Sequence, residues 1–322
     1  MPAIFTHYIF GKQVSDKSDK YRSIFLLGSQ GPDVFFYYGY NFKKRKDKKL
    51  VRNFGTMLHH IDISEVYNFF VEYALKKEGE ERDILMSYIR GIFVHYSLDR
   101  NAHPYIFYRS GFTYELTLKS KYSYSHAFFE TYIDTLLYKK YHETRRNVNC
   151  IKADKKQVLL VSKMYDAMNK AILKQDYIDE KSYYTSWKDF KFMSHVFYSP
   201  LYIKKGIYYL FFKKTLLYAM SSPDKVRHND KMDLLNESHS FYQDCVSGEK
   251  FNFSFFDLMD NAKKDVKRVD EFLTKALDGE NIKGEIMDFV HNIDHDGFIV
   301  ASEKKYYSLA WDVLKRKPID LQ

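Results

Sequence analysis

Chain breakers are scarce: the 322 residues include only 13 Gly and 6 Pro. Long stretches can therefore run uninterrupted, and the periodicity within them decides the fold class. In residues 65–77 the side chains of Val66, Phe69, Phe70, Tyr73 and Ala74 share one helical face. Residues 84–101 repeat the pattern with Leu85, Tyr88, Ile89, Ile92 and Val94, and Pro104 is expected to mark the end of that helix. Further helices are predicted over 125–141, 158–174 and 200–220, the last with Pro200 in its first turn. Ser254 followed by Asp257 reads as a capping box opening a helix that runs to Leu277. Only residues 297–301 hint at strand alternation. Loops are expected at 28–32, 43–49, 110–124 and 221–231, with no interdomain linker and no repeat. The prediction is an all-α fold, a single multi-helix domain over residues 1–322.

The formal net charge of +9 favours anionic partners such as phosphates or acidic headgroups. The densest basic run, residues 43–49, reads first as a solvated loop and second as an anion-steering patch. The apolar run 206–212 is flanked by lysines and far too short to span a bilayer. Cys150 and Cys245 match no metal motif and make no disulfide framework, which points to a reducing interior. The opening residues MPAIFTHYIFGKQ lack a basic region followed by a long apolar stretch, so they do not read as a secretory signal and a cytoplasmic location is expected. Aromatic residues reach 18%, a share that suits thick helix packing and, second, clefts facing both an apolar wall and water.

Histidine placement carries the chemistry. Of 12 histidines, seven precede residue 143: His7, His59, His60, His95, His103, His126 and His142. Ligands four residues apart on a helix lie on one face, within reach of one metal ion. His95, Asp99 and His103 step by four twice, and His126 and Glu130 form another such pair. At this composition the triple is expected by chance only about 0.06 times. His7 and Asp33 could complete the shell from loops, although Asp33 by itself is an ordinary turn residue after Gly31-Pro32.

The order His, then Gly-Pro-Asp, then His-x-x-Asp, then His-Tyr-x-x-Asp with a nearby His-Pro, then His-x-x-x-Glu resembles the bacterial zinc-dependent phospholipase C family, over roughly residues 1–142. The resemblance implies a metal-binding core at 1–142 with additional packing helices at 150–322, and two to three zinc ions in a cleft. Asp33, His59, His95 and Asp99 would surround one ion. His103, His126 and Glu130 would hold a second, and His7 with the bridging carboxylate of Asp99 a third. His59 rather than His60 keeps the His-x-x-Asp pattern, with His60 the alternative. Secreted members use an N-terminal Trp on the third zinc, whereas this chain begins Met1-Pro2 and has no Trp before His7.

Clustered zinc clamps phosphoryl oxygens and brings the pKa of a bound water toward neutrality, so the resemblance implies a phosphodiester hydrolase of the phospholipase C type. Asp33 is the candidate for orienting that water. The implied substrate is a phospholipid or another phosphodiester, met during transient contact with an anionic membrane surface. Two other readings stand beside it: a three-zinc nuclease of the related fold, and a non-catalytic zinc-stabilised interaction protein. Phe35, Phe36, Tyr37, Tyr38 and Tyr40 follow Asp33, and for each of them core packing outweighs a headgroup pocket.

Overall fold

Helices dominate the computed structural model, which describes residues 4–41, 47–111, 125–141, 152–199, 201–212, 215–221, 233–306, 311–312 and 317–318. They are α1 (Ile4–Gln13), α2 (Arg22–Gly28), α3 (Lys48–His60), α4 (Ser64–Leu75), α5 (Gly79–Ser110), α6 (Ser125–Lys140), α7 (Lys155–Met168), α8 (Ser182–Phe197), α9 (Ile203–Phe212), α10 (Leu216–Ala219), α11 (Phe255–Leu277) and α12 (Lys283–Val290). A 3-10 helix, Gly31–Tyr37, follows α2, and a π turn, Asn169–Leu173, extends α7. Among the described residues the strands are two short antiparallel pairs, Tyr242–Gln243 with Lys250–Phe251 and Trp311–Asp312 with Lys317–Pro318. The all-α expectation holds. Most of the basic run after Lys43, most of the loops expected at 110–124 and 221–231, and His142, Cys150 and Pro200 lie outside the described residues.

Helix α5 organises the rest. Its 32 residues span about 48 Å. Buried side chains occur all round it, from Leu85 to Phe107, so it behaves as a central helix enclosed by neighbours and not as a surface helix with one apolar stripe. The predicted stop at Pro104 does not occur, and α5 runs on to Ser110, where Gly111 closes it with φ 62°. Pro104 removes one N–H and costs about 3 kcal/mol. Beyond it Tyr105, Ile106 and Phe107 are all buried, each contributing about 1.5–3 kcal/mol, and that burial outweighs the break.

Two glycines set how close α2 comes to α5. A Cβ at Gly28 would collide with the Tyr88 carbonyl oxygen, and one at Gly91 with the Phe25 carbonyl oxygen. The backbones therefore touch, and the chain leaving α2 enters the 3-10 helix directly over α5. On the opposite flank, α11 opens with the predicted capping box: Ser254 Oγ accepts from the Asp257 N–H, and Asp257 Oδ2 accepts from the Ser254 N–H. Arg90 pairs with Asp270 at 2.6 Å and Arg100 with Asp265 at 2.7 Å, fastening α11 along α5. The aromatic share is spent on helix packing. Tyr88 donates to Tyr183 at 2.7 Å, and Tyr165 stacks on Tyr183 with 4.8 Å between ring centres.

The helix predicted over 200–220 is divided into α9 and α10. Thr215 turns the chain there: its N–H and its hydroxyl both donate to the Phe212 carbonyl, a local competitor of helix propagation. No helix of the described residues is long and apolar enough to cross a membrane.

The α2–α5 crossing yields a prediction. Gly91→Ala should lower stability by about 1–3 kcal/mol, the usual cost of overpacking. Gly284 lies in α12 with open space around it, so Gly284→Ala should be neutral or stabilising by up to about 1 kcal/mol. Urea denaturation of both variants checks this, and equal effects would remove the close crossing as a constraint.

Candidate metal centre

Three rings and one carboxylate meet on the inner face of α5. His95, Asp99 and His103 project from successive turns of this one rigid helix. His95 Nε2 lies 3.0 Å from Asp99 Oδ2, and His103 Nε2 lies 3.9 Å from Asp99 Oδ1. Helix α1 adds His7, whose Nε2 is 3.0 Å from Asp99 Oδ1. Asp134 of α6 holds the start of α1 by accepting from the Phe5 and Thr6 N–H groups and the Thr6 hydroxyl. The 3-10 helix brings Asp33, with Oδ1 3.0 Å from His59 Nε2 on the last turn of α3. That segment is anchored by Phe35, packed edge-on against Phe54, Tyr165 and Tyr183. Gly31, with φ +53°, admits the His95 ring against its backbone, and any Cβ there would collide with the imidazole. Helix α6 supplies His126 and Glu130, one turn apart, with Nε2 and Oε1 3.1 Å apart and His103 Nε2 3.5 Å from the same Oε1.

All eight residues singled out from the sequence thus come together, in three clusters: His7, His95 and Asp99; Asp33, His59 and His95; His103, His126 and Glu130. Within the first cluster Asp99 meets His7 through Oδ1 and His95 through Oδ2, and Oδ1 also approaches His103 of the third. The structure also separates the two neighbouring histidines. His60 turns away toward Asp294 and Asp296, while His59 faces Asp33.

These residues fit a zinc cluster on the chemistry of their atoms. None of the eight exposes more than 7% of its surface. Asp33 Oδ1 and Oδ2, His95 Nδ1 and Nε2, Asp99 Oδ2, Glu130 Oε2 and His7 Nδ1 have no hydrogen-bond partner among the described residues. Orphaned buried polar atoms cost about 1–3 kcal/mol each, so such a set is stable only around something that satisfies it. His95 Nε2 and Asp99 Oδ2 lie 3.0 Å apart yet are not aligned as a hydrogen bond. Both would be satisfied by a shared cation. Tetrahedral zinc with bonds of about 2.0–2.1 Å spaces its ligand atoms by about 3.3 Å, within the range seen here.

Ligand orientation is set from behind. His59 Nδ1 lies 2.7 Å from the Gly55 carbonyl, and His103 Nδ1 lies 2.8 Å from the His295 carbonyl. With those nitrogens as donors, both rings turn Nε2 inward as neutral ligands. The His295 N–H in turn donates to the His59 carbonyl. The short loop 294–298 therefore bridges two of the clusters. It packs where Pro104 leaves the Arg100 carbonyl without a helical donor. Gly297, with φ +81°, sits on that carbonyl so closely that a Cβ would collide with it. The His295 ring is fully buried, 4.8 Å from the His59 ring and 3.2 Å through Nε2 from the Tyr67 hydroxyl. The sequence reading missed this loop, which lies far beyond residue 142. The stretch His291-Asn292-Ile293-Asp294-His295-Asp296-Gly297 signals it, with two His and two Asp in a turn ended by Gly.

Electrostatics divide the cluster. Burial disfavours charge on Asp99, but the facing His95, His103 and His7 hold its carboxyl well below the usual carboxylate range. Glu130 is lowered in the same way by His126 and His103. Burial lowers His95 and His126, which are neutral and ready to ligate. For His7 and His59, the neighbouring carboxylates of Asp99 and Asp33 overcome burial and raise the pKa. His103 is pushed up to about 10 by Asp99, Glu130 and Asp296.

The sequence model of a family described as zinc dependent phospholipase C matches residues 6–191. No curated protein and no solved structure matches the chain.

Three predictions come from this geometry. His7, His59 and His103 have raised pKa values and must lose protons to bind a metal, so zinc uptake by metal-free protein at pH 7 should release protons and weaken as pH falls. Titration calorimetry in buffers of different ionisation enthalpy reads this directly, and a buffer-independent enthalpy would contradict it. Second, Gly297→Ala should displace loop 294–298 and lower zinc affinity by about 10–100-fold although no ligand is changed. His95→Ala should remove more metal and more thermal stability than replacement of the exposed His195. Metal content and melting temperature decide both comparisons.

Proposed function

Because the chain belongs to the zinc-dependent phospholipase C family, we propose that it hydrolyses the phosphodiester of phospholipids, releasing diacylglycerol and a phosphorylated headgroup. The observation that carries the reading is the convergence of three buried ligand clusters, two of them sharing His95 and the third approached by Asp99. Bound there, two to three zinc ions would supply positive charge to the phosphoryl oxygens and bring the pKa of a water toward neutrality.

The chain's own residues would do the rest. Asp33, whose two oxygens have no hydrogen-bond partner among the described residues and which is held on a segment locked by Phe35, orients the attacking water and accepts its proton. The water oxygen bonds to phosphorus, the bond from phosphorus to the glycerol oxygen breaks, and that oxygen takes a proton from solvent water to leave as diacylglycerol, while Asp33 returns its proton to solvent. Phe36 stacks on the His59 ring, 5.3 Å between centres, and is only partly buried, so it forms an apolar edge of the site. Phe35 and Tyr37 are core residues, while Tyr40 lies under the Arg52 guanidinium at 3.6 Å.

One observation favours a second reading. Catalytic zinc keeps an open position whereas structural zinc is closed in, and every ligand here is buried. A zinc cluster that only stabilises an interaction protein would look like this too.

Asp33→Asn separates the two. Elemental analysis of the wild type should give two to three zinc per chain, and less than about one after reconstitution would sink the metal reading altogether. The variant should keep its fold and much of its zinc, since an amide oxygen still ligates. Turnover of phosphatidylcholine and of a chromogenic phosphodiester should fall by about 100-fold or more. An unchanged rate at full zinc removes Asp33 from the mechanism. No turnover by either protein favours the structural cluster, and cleavage of single-stranded DNA instead of phospholipid favours a nuclease.

A further inference from the structure

Helix α9 is inside out. Its one buried residue is a lysine: Lys205 donates to the Ser221 carbonyl at 2.7 Å, and its ammonium lies 5.2 Å from the Phe128 ring centre and 5.1 Å from that of Tyr218. Three residues on, Tyr208 donates to the Val196 carbonyl at 3.1 Å. The apolar side chains point the other way. On the helix Ile203 is 65% exposed, Leu210 72% and Phe211 73%, with Ile207 beside them, and Leu201 just before the helix is 76% exposed. A surface helix of a globular protein ordinarily turns its lysines out and its leucines in. Here the reverse is held in place by hydrogen bonds to the body of the protein, and a contiguous apolar face of this kind marks a docking surface.

We propose that α9 docks in the plane of a lipid bilayer interface carrying anionic headgroups. Ten residues span about 15 Å, half of what crossing the hydrocarbon requires, so the helix can lie in the interface but not span it. The apolar stretch also carries charge: Lys204 is exposed between Ile203 and Ile207, and the sequence continues into Lys213-Lys214 after Phe212. Acidic residues are absent from the whole stretch 201–221. Tyr209, partly exposed, adds an amphipathic ring of the kind favoured at the level of the headgroups. An apolar face with an exposed lysine, in a segment rich in lysine and free of acids, is complementary to an anionic bilayer. A second copy of this chain would instead set the same lysines against one another. The docking surface also adjoins the metal-site helix, because Phe128, which Lys205 covers, lies on α6 between His126 and Glu130. Only the purpose of docking, to bring the site to its substrate, rests on the phospholipid reading above.

The test compares the full chain with L210D/F211D and with the milder Phe211→Ser. Each is pelleted with sucrose-loaded vesicles of equimolar phosphatidylcholine and phosphatidylserine, and separately with phosphatidylcholine alone. The wild type should partition onto the anionic vesicles, more weakly onto the neutral ones, and less at high salt. L210D/F211D should lose about tenfold or more of that partitioning and Phe211→Ser a smaller part, with circular dichroism, zinc content and turnover of a water-soluble phosphodiester unchanged. Equal pelleting of wild type and both variants would overturn the proposal. So would a wild-type dimer in solution that the substitutions dissolve and that ignores vesicles, which would assign the face to a second copy. Vesicle binding lost in the variants, with no hydrolysis by any of the proteins, would uphold docking and remove the proposed activity.

Discussion

The carboxylate of Asp99 is the constraint on which the rest depends. It is buried among His7, His95 and His103, with Oδ1 3.0 Å from His7 and Oδ2 3.0 Å from His95. A carboxylate taken out of water is costly unless charge or hydrogen bonds compensate it. Here the compensating groups come from two helices and two sides of one residue. Everything that positions those groups is therefore coupled: α1 held by Asp134, α5 enclosed on all sides, and α2 crossing close enough to deliver the Asp33 segment.

The second half of the chain does more than cover this arrangement. Loop 294–298 receives the His103 ring nitrogen on one carbonyl and gives its own N–H to the His59 carbonyl. It reaches that position because Pro104 opens the α5 ladder and Gly297 fits onto the exposed carbonyl. Asp296 is held by Lys304 at 2.8 Å, so the acidic turn is itself neutralised. Rigidity behind a ligand matters as much as the ligand, since a ring free to rotate spends binding energy on being ordered.

Much of this was legible in the sequence, and the parts that were not have identifiable causes. The spacing of His95, Asp99 and His103 declared a shared helical face because a helix converts sequence distance into direction at a fixed rate. The Ser254–Asp257 capping box was legible for the same reason, being wholly local. Pro104 misled, since its effect depends on what is buried beyond it, and Tyr105, Ile106 and Phe107 are tertiary facts. The division of the 200–220 segment was hidden in one Thr hydroxyl that bonds back to Phe212. His295 escaped because its role is carried by its backbone groups, which every residue possesses, and by a contact across 192 positions.

Placing three ligands on one uninterrupted helix has a consequence for how this sequence can diverge. Each residue of an α-helix turns the chain by about 100°. A single insertion or deletion between His95 and His103 would swing one of these side chains away from its partners and leave the other in place. Because Asp99 serves neighbours on both sides, no such length change can spare one cluster at the expense of another. Substitution is the only kind of variation open to this stretch of α5, whereas an exposed connection such as the turn after Leu277, where Gly279 has open space around it, can gain or lose residues without being felt at the centre.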